Sequence, residues 1–191
     1  MKVVAFNGSA RSDGNTELLV ETVFEPLRVA GIECEQIGLR GKRLHGCMAC
    51  NKCGKAKDRT CPGVNDDMND LIAKMDEADG VIIASPTYFA DVTTETKALI
   101  DRAGMVGMQN GAMYRRKVGA AVVAVRRGGA IHTFDTINHF FFIGQMIVPG
   151  SSYWNVGIGR AKGEVAEDEE GLRTMRVLGD NMAWLLGKLA E

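Results

Sequence analysis

Four cysteines stand within fifteen residues of this chain, at Cys47, Cys50, Cys53 and Cys61. Their spacing is C-x2-C-x2-C-x7-C, with Pro62 directly after the last. Thiolates this close along a loop can wrap one cubane iron–sulfur cluster, and bacterial cluster-binding runs open with the same three-cysteine pattern. The seven residues before Cys61 can loop back across such a cluster, and Gly46, Gly54 and Gly63 add turn freedom. Four cysteines can instead form a tetrahedral zinc site, although zinc knuckles more often come as two CxxC pairs far apart. A set of free thiols without metal is the third reading. The spacing puts a [4Fe–4S] cluster first among the three. His45 is then surplus as a ligand and reads as an exposed loop histidine. The fifth cysteine, Cys34, lies in the alternating run Ile32–Ile37 and reads as a small buried strand residue.

A second feature is the segment Gly8-Ser9-Ala10-Arg11-Ser12-Asp13-Gly14-Asn15-Thr16. It is neither GxxxxGK[ST] nor GxGxxG. Its chemistry nevertheless suits a phosphate. Ser9, Ser12, Asn15 and Thr16 offer hydroxyl and amide donors, and Arg11 offers a guanidinium. Gly8 and Gly14 permit a tight turn, and a following helix would add free amides at its positive end. An ordinary polar turn, with Asn15 or Thr16 capping the helix, accounts for the same residues.

Two later segments carry similar potential. Ser85-Pro86-Thr87-Tyr88-Phe89 puts an aromatic pair at a strand end, where it suits either a flat, partly apolar ligand or packing beneath the loop. In Arg126-Arg127-Gly128-Gly129-Ala130-Ile131-His132-Thr133 the glycine pair suits a close backbone approach to a ring. His132 reads as a helix-cap or surface residue, with proton donation as the alternative. His139, beside Phe140-Phe141-Phe142, reads as a packing or subunit-contact residue.

The elements that must position these loops alternate along the chain. Val3–Phe6 is a short apolar strand, and from Thr16 the residues Leu18, Leu19, Val23 and Leu27 recur at helical spacing. A strand is expected around 34–39, followed by a long, irregular Cys-rich loop over 41–65. A helix starts near Asp66 with Met68, Leu71, Ile72 and Met75 on one face. Gly80–Ser85 and Val118–Val125 are apolar strands. Helices are expected over Thr93–Ala103 and Thr133–Gly144, a fifth strand over Met146–Pro149, and a last helix over Glu169–Leu189. Glu164–Glu170 reads as a solvated turn leading into that helix. Strands apolar throughout belong to a parallel sheet covered on both faces. The expectation is therefore a single domain, residues 1–191, of α/β class: a doubly wound five-stranded parallel sheet with the Cys-rich loop inserted after the second strand. In such sheets ligands bind beyond the C-terminal strand ends at the switch in strand order, which singles out residues 7–16, 85–90 and 126–132.

Composition removes several function classes. The 191 residues are 46% hydrophobic and 25% charged, and 23 Lys plus Arg against 24 Asp plus Glu leave a net charge of -1. That balance offers no footprint for nucleic acid or an anionic membrane surface. No apolar run approaches the ~20 residues of a membrane span. The opening MKVVAFNGS enters a strand without a signal-peptide pattern, so the expectation is cytoplasmic.

The loop GSARSDGNT after the first strand resembles the FMN-phosphate loop of the flavodoxin-like NAD(P)H-dependent FMN reductase family, and SPTYF resembles that family's second flavin loop. The resemblance extends over nearly the whole chain. It implies that Ser9, Arg11, Ser12, Asn15 and Thr16 bind the FMN phosphate, and that Pro86, Thr87, Tyr88 and Phe89 line the ribityl chain and ring edge. It sets Arg126, Gly128 and Gly129 beside the isoalloxazine, where Arg126 would favour the anionic reduced flavin. The cysteine spacing is similar to that of the iron–sulfur flavoprotein branch, although related reductases carry several of these cysteines without a cluster. From the strand order the Cys loop is expected at the same sheet edge as the phosphate loop, near the FMN of its own or a neighbouring subunit. The resemblance implies FMN, a [4Fe–4S] cluster, a small-molecule electron acceptor, ferredoxin or NAD(P)H as donor, and a homodimer or homotetramer. An NAD(P)H-dependent FMN or quinone reductase with a cluster-free loop is one alternative. A zinc-knit binding module without turnover is another.

Overall fold

A computed structural model describes all 191 residues. Five strands, β1 (Lys2–Asn7), β2 (Glu33–Gly38), β3 (Gly80–Pro86), β4 (Val118–Val125) and β5 (Val156–Ile158), form one sheet in the order β2-β1-β3-β4-β5. Every pairing is parallel. Six helices connect or flank them: α1 (Asn15–Val29), α2 (Lys52–Ala56), α3 (Met68–Glu77), α4 (Thr94–Gln109), α5 (Ala130–Ile143) and α6 (Glu169–Ala190). The strand order reverses at β1 and β3, so the loops leaving those strands diverge and open a crevice.

Period-two alternation sends consecutive strand residues to opposite faces. Val4, Phe6, Val81, Ile83, Ala121 and Val123 join the core under α3, α4 and α5. Val3, Ala5, Ile82, Ala84, Ala120 and Val122 join a second core under α1 and α6. The three central strands are buried on both faces, which is why they read as continuous apolar runs.

Four expectations need correction. The fifth strand is split. Ile147 pairs with β4 through Ile147 N–H to Lys117 O and Gly119 N–H to Ile147 O, both 2.9 Å. The chain then leaves the sheet at Pro149-Gly150 and returns as β5 at Val156–Ile158. The Asn155 amide donates to Ala121 O at 3.0 Å across the break. Helix α4 runs six residues beyond Ala103, to Gln109. Gly104 and Gly107, which suggest an end, are instead contact points: a Cβ at Gly107 would lie 2.6 Å from Tyr114 Cε2. Helix α5 starts at Ala130, inside the expected third loop, so His132 lies in its first turn. Cys34 is only half-buried because β2 is an edge strand, and its desolvation raises the thiol pKa. No helix is long and apolar enough to cross a membrane.

Candidate functional site

The loop after β1 is held from below. Gly8 N–H donates to Ala84 O at 2.8 Å, and the buried Thr93 hydroxyl donates to Gly8 O at 3.0 Å. Within the loop, Asn7 Oδ1 accepts from Ser9 N–H at 2.9 Å and Ser9 Oγ accepts from Arg11 N–H at 3.2 Å. These Asx- and Ser-turns fold the segment back on itself. Gly14 caps α1 without a side-chain acceptor, so the first-turn amides have no intrahelical partner. That end of α1 is a ready anion site.

A cleft of about 280 Å³ opens beside it, lined by Ser9, Arg11, Asn15 and Thr16 together with Pro86, Thr87 and Tyr88 of the second loop and Arg126 after β4. Gly128 and Gly129 line an adjoining hollow of about 340 Å³, which shares Val125 with the cleft. Three guanidinium-bearing residues, Arg11, Arg126 and Arg160, make the cleft cationic. The arrangement suits a phosphorylated ligand with a flat apolar part.

Two expected residues stand apart. Ser12 is exposed and does not line the cleft. Phe89 is fully exposed at the tip of a two-residue turn in which Phe89 and Ala90 both have positive φ, 48° and 65°. Tyr88 and Asp91 pair across that turn, and two left-handed L-residues in succession store strain of about 1–3 kcal/mol each at this rim. Asn15 lines the cleft but spends its side chain on the chain's far end, donating to Ala161 O at 2.9 Å. Gly129, at φ 88°, sets the third loop against the second: a Cβ there would meet Ala90 Cα at 3.2 Å. His132 is exposed, with Nε2 3.4 Å from Asp91 Oδ2, and His139 is exposed on α5.

Gly159 and Arg160, after β5, also line the cleft and were not singled out in the sequence. Arg11 donates to Arg160 O at 3.4 Å. Their signal is weak because β5 is three residues long and contains a glycine.

The cysteines gather elsewhere. Cys47, Cys50, Cys53 and Cys61 line one small cavity against Arg102, Met105 and Val106 of α4. Helix α2 carries Cys53 and is bracketed by the left-handed residues Asn51 and Lys57, with Ala49 and Arg59 also at positive φ. This winding brings a loop of little regular structure around a centre. Asn69 fixes its far end, accepting from Cys61 N–H at 2.7 Å. The loop leaves the sheet at the expected edge, after Gly38, but its cysteines do not stay there. They rest two turns down α4 from Thr94, about 12 Å of helix from the end that supports Gly8.

Arg102 was not singled out in the sequence, and its side chain is fully buried. It occupies the apolar stripe Leu99, Ala103, Val106, and a charge in such a stripe is itself a signal of a buried partner. Nη1 donates to Asp66 Oδ2 at 2.5 Å and to His45 O at 3.1 Å, while Nε donates to Cys61 Sγ at 3.3 Å. Burial works against the guanidinium charge, but Asp66 and Cys61 outweigh it and raise the Arg102 pKa. Burial likewise raises the Asp66 carboxyl, yet Arg102 and the amides of His45 and Met68 hold it below the usual value. Burial pushes the Cys53 thiol up.

In its chemistry, four thiols beside a guanidinium, the donor set suits an iron–sulfur cluster. Cys47, Cys50, Cys53 and Cys61 line one cavity of about 20 Å³, with Cys47 and Cys50 exposed and Cys53 buried; Arg102 Nη2 has no partner there, and a Cβ at Gly63 would come within 2.9 Å of Cys50 Sγ. No three His, Cys, Asp or Glu side chains converge at the distances of a single metal ion.

Residues 1–161 match the profile of the NADPH-dependent FMN reductases. The chain belongs to that family, in its iron–sulfur flavoprotein branch. An iron–sulfur flavoprotein of Methanocaldococcus jannaschii is 40% identical over 190 residues, covering 96% of both chains. One of Methanosarcina thermophila is 32% identical over 177 residues, 92% of this chain and 90% of the relative. Among solved structures, RosB with a bound riboflavin-phosphate intermediate superposes with a TM-score of 0.74 at 18% identity, over 100% of this chain and 80% of that one. An NAD(P)H:quinone oxidoreductase of Methanothermobacter marburgensis gives 0.68 at 16% identity, over 95% and 96%. The family member described here is an FMN-dependent oxidoreductase, and its sheet is flavodoxin-like.

Proposed function

We propose that the protein transfers electrons between a one-electron donor and a small-molecule acceptor, using FMN in the β1–β3 crevice and a [4Fe–4S] cluster on Cys47, Cys50, Cys53 and Cys61. The observation that carries the reading is the cavity those four cysteines share with Arg102, supported by relatives named iron–sulfur flavoproteins. FMN supplies two-electron and one-electron chemistry and the cluster supplies single-electron exchange; the protein's part is position and electrostatics.

Each loop then has a task. The free amides of α1, with Ser9, Arg11 and Thr16, hold the phosphate, and Asn15 ties this loop to residues 161–165. Pro86, Thr87 and Tyr88 wall the ribityl chain. Gly128 and Gly129 admit the ring at close range, and Arg126 favours its anionic reduced form. Ser12 and Phe89 are at the rim, available to an incoming acceptor or to a second subunit. Exposed Phe142, Ile143 and Met108 support a homo-oligomer, and reduced thiols suit the cytoplasm. Residues 1–191 act as one flavin-binding unit.

Membership of the NADPH-dependent FMN reductases favours a second reading, direct reduction of FMN by NAD(P)H, with a quinone as the acceptor. Oxygen-free protein mixed with reduced ferredoxin or with NADPH separates the two. Fast flavin bleaching by ferredoxin and slow bleaching by NADPH supports the first; fast bleaching by NADPH alone overturns it.

A further inference from the structure

We infer that Arg102 is a positioning residue for the iron–sulfur cluster, binding it through the two unpaired N–H groups of Nη2 and setting its reduction potential. The inference rests on the cluster reading above and concerns a residue on a helix, outside the cysteine motif.

A guanidinium has five N–H donors in a planar fork. Three are used here: Nε on Cys61 Sγ, and the two of Nη1 on Asp66 and His45 O. Nη2 is fully buried and has no acceptor. Leaving donors of a buried charge unsatisfied is costly, and native proteins rarely do so without a reason. The side chain lines the cavity of the four cysteines, so thiolate or sulfide sulfur at its centre is the acceptor within reach. Planarity of the fork links the two interactions: with Nε fixed on Cys61, Nη2 lies on the same side of the group, turned from Asp66.

The alternative is a purely structural arginine that pins His45 and Asp66 to α4. It explains Nη1 and leaves both Nη2 and the Nε contact with sulfur without a purpose. Asp66 neutralises the charge at long range, but it faces Nη1, so the nearest face of the guanidinium to the thiols remains a donor face. Hydrogen bonds to the sulfurs and local positive charge stabilise the more negative, reduced cluster and raise its potential. Losing Arg102 therefore lowers it.

The test uses full-length protein prepared without oxygen as wild type, Arg102→Gln and Arg102→Lys. Iron content, the cluster midpoint from EPR-monitored titration and the flavin midpoint from absorbance are read for each. The inference expects about four irons per wild-type chain, a clearly lower cluster midpoint in the Gln variant, partial recovery in the Lys variant, and an unmoved flavin midpoint. An iron-loaded Gln variant with an unchanged cluster midpoint overturns the role of Arg102 and leaves the cluster reading intact. Wild type that holds FMN but no iron overturns both. Should the Gln variant fail to load, wild-type protein with guanidine-15N arginine decides: pulsed EPR of the reduced state shows a 15N coupling if Arg102 binds the cluster, and its absence overturns the inference.

Discussion

Replacing Gly8 by alanine tests how the loop after β1 is built. A Cβ at this position would lie 1.9 Å from Thr96 Oγ1 and 2.7 Å from Thr93 Oγ1, with Thr96 Cβ at 3.3 Å. Both threonines are buried and bonded to each other at 2.9 Å. Thr93 also caps α4, its oxygen accepting from Thr96 N–H, and donates to Gly8 O. The methyl group cannot be accommodated without moving both hydroxyls. The variant loses a helix cap worth about 1 kcal/mol and a buried hydrogen bond worth about 1 kcal/mol. Overpacking adds about 1–3 kcal/mol, for a destabilisation of about 3–5 kcal/mol. In a chain of this length that lowers Tm by about 6–20 °C. Urea unfolding of the FMN-free protein measures it directly, and FMN titration should show weakened binding as the loop amides shift. Adding Thr96→Ala removes the nearest atom and should restore at least half of the loss, so the double variant is more stable than Gly8→Ala alone. A Gly8→Ala protein within about 1 kcal/mol of wild type, or a Thr96→Ala change that adds to the damage, would refute this reasoning.

Other consequences are as specific. Arg11→Gln should weaken FMN about 10- to 100-fold, the equivalent of one charge-assisted bond, and should barely alter riboflavin binding, both read by fluorescence titration. Gly129→Val, at φ 88° and 3.2 Å from Ala90 Cα, should lower Tm and loosen FMN together, because the third loop is pushed off the second. Asp66 lies below its usual pKa in the folded protein, so its stabilisation is present above about pH 4 and is lost as pH falls further. Asp66→Asn should therefore be less stable at neutral pH, by about 3–5 kcal/mol for a broken buried pair, with a flatter acid limb in pH-dependent unfolding.

The parts of the fold that were legible are those where one physical term dominates. β1, β3 and β4 are buried on both faces and read as unbroken apolar runs; the amphipathic faces of α1, α3 and α6 are equally plain. β5 was misplaced because Met146–Val148 is apolar and does begin the pairing, while Val156–Ile158 is too short to show a period. The end of α4 was hidden because Gly104 and Gly107 look like terminators until Phe140 and Tyr114 are seen packed on them. In the site, turn chemistry at strand ends marks the loops after β1 and β3, while the parts of Thr87 and Tyr88 in it come from the family resemblance. Gly159 and Arg160 approach only through the tertiary fold. The cysteine spacing leaves cluster, zinc and free thiols open, and it gives no sign that the four meet against α4 beside Arg102, whose ion pair spans 36 residues of chain.

The most direct measurement is the absorption spectrum of protein made and purified without oxygen, before and after dithionite, with iron, sulfide, zinc and flavin assayed on the same sample. The account predicts bound FMN, a broad shoulder beside the flavin bands that bleaches on reduction, and about four iron and four sulfide per chain. Flavin bands with no iron, or one zinc per chain in its place, would contradict it.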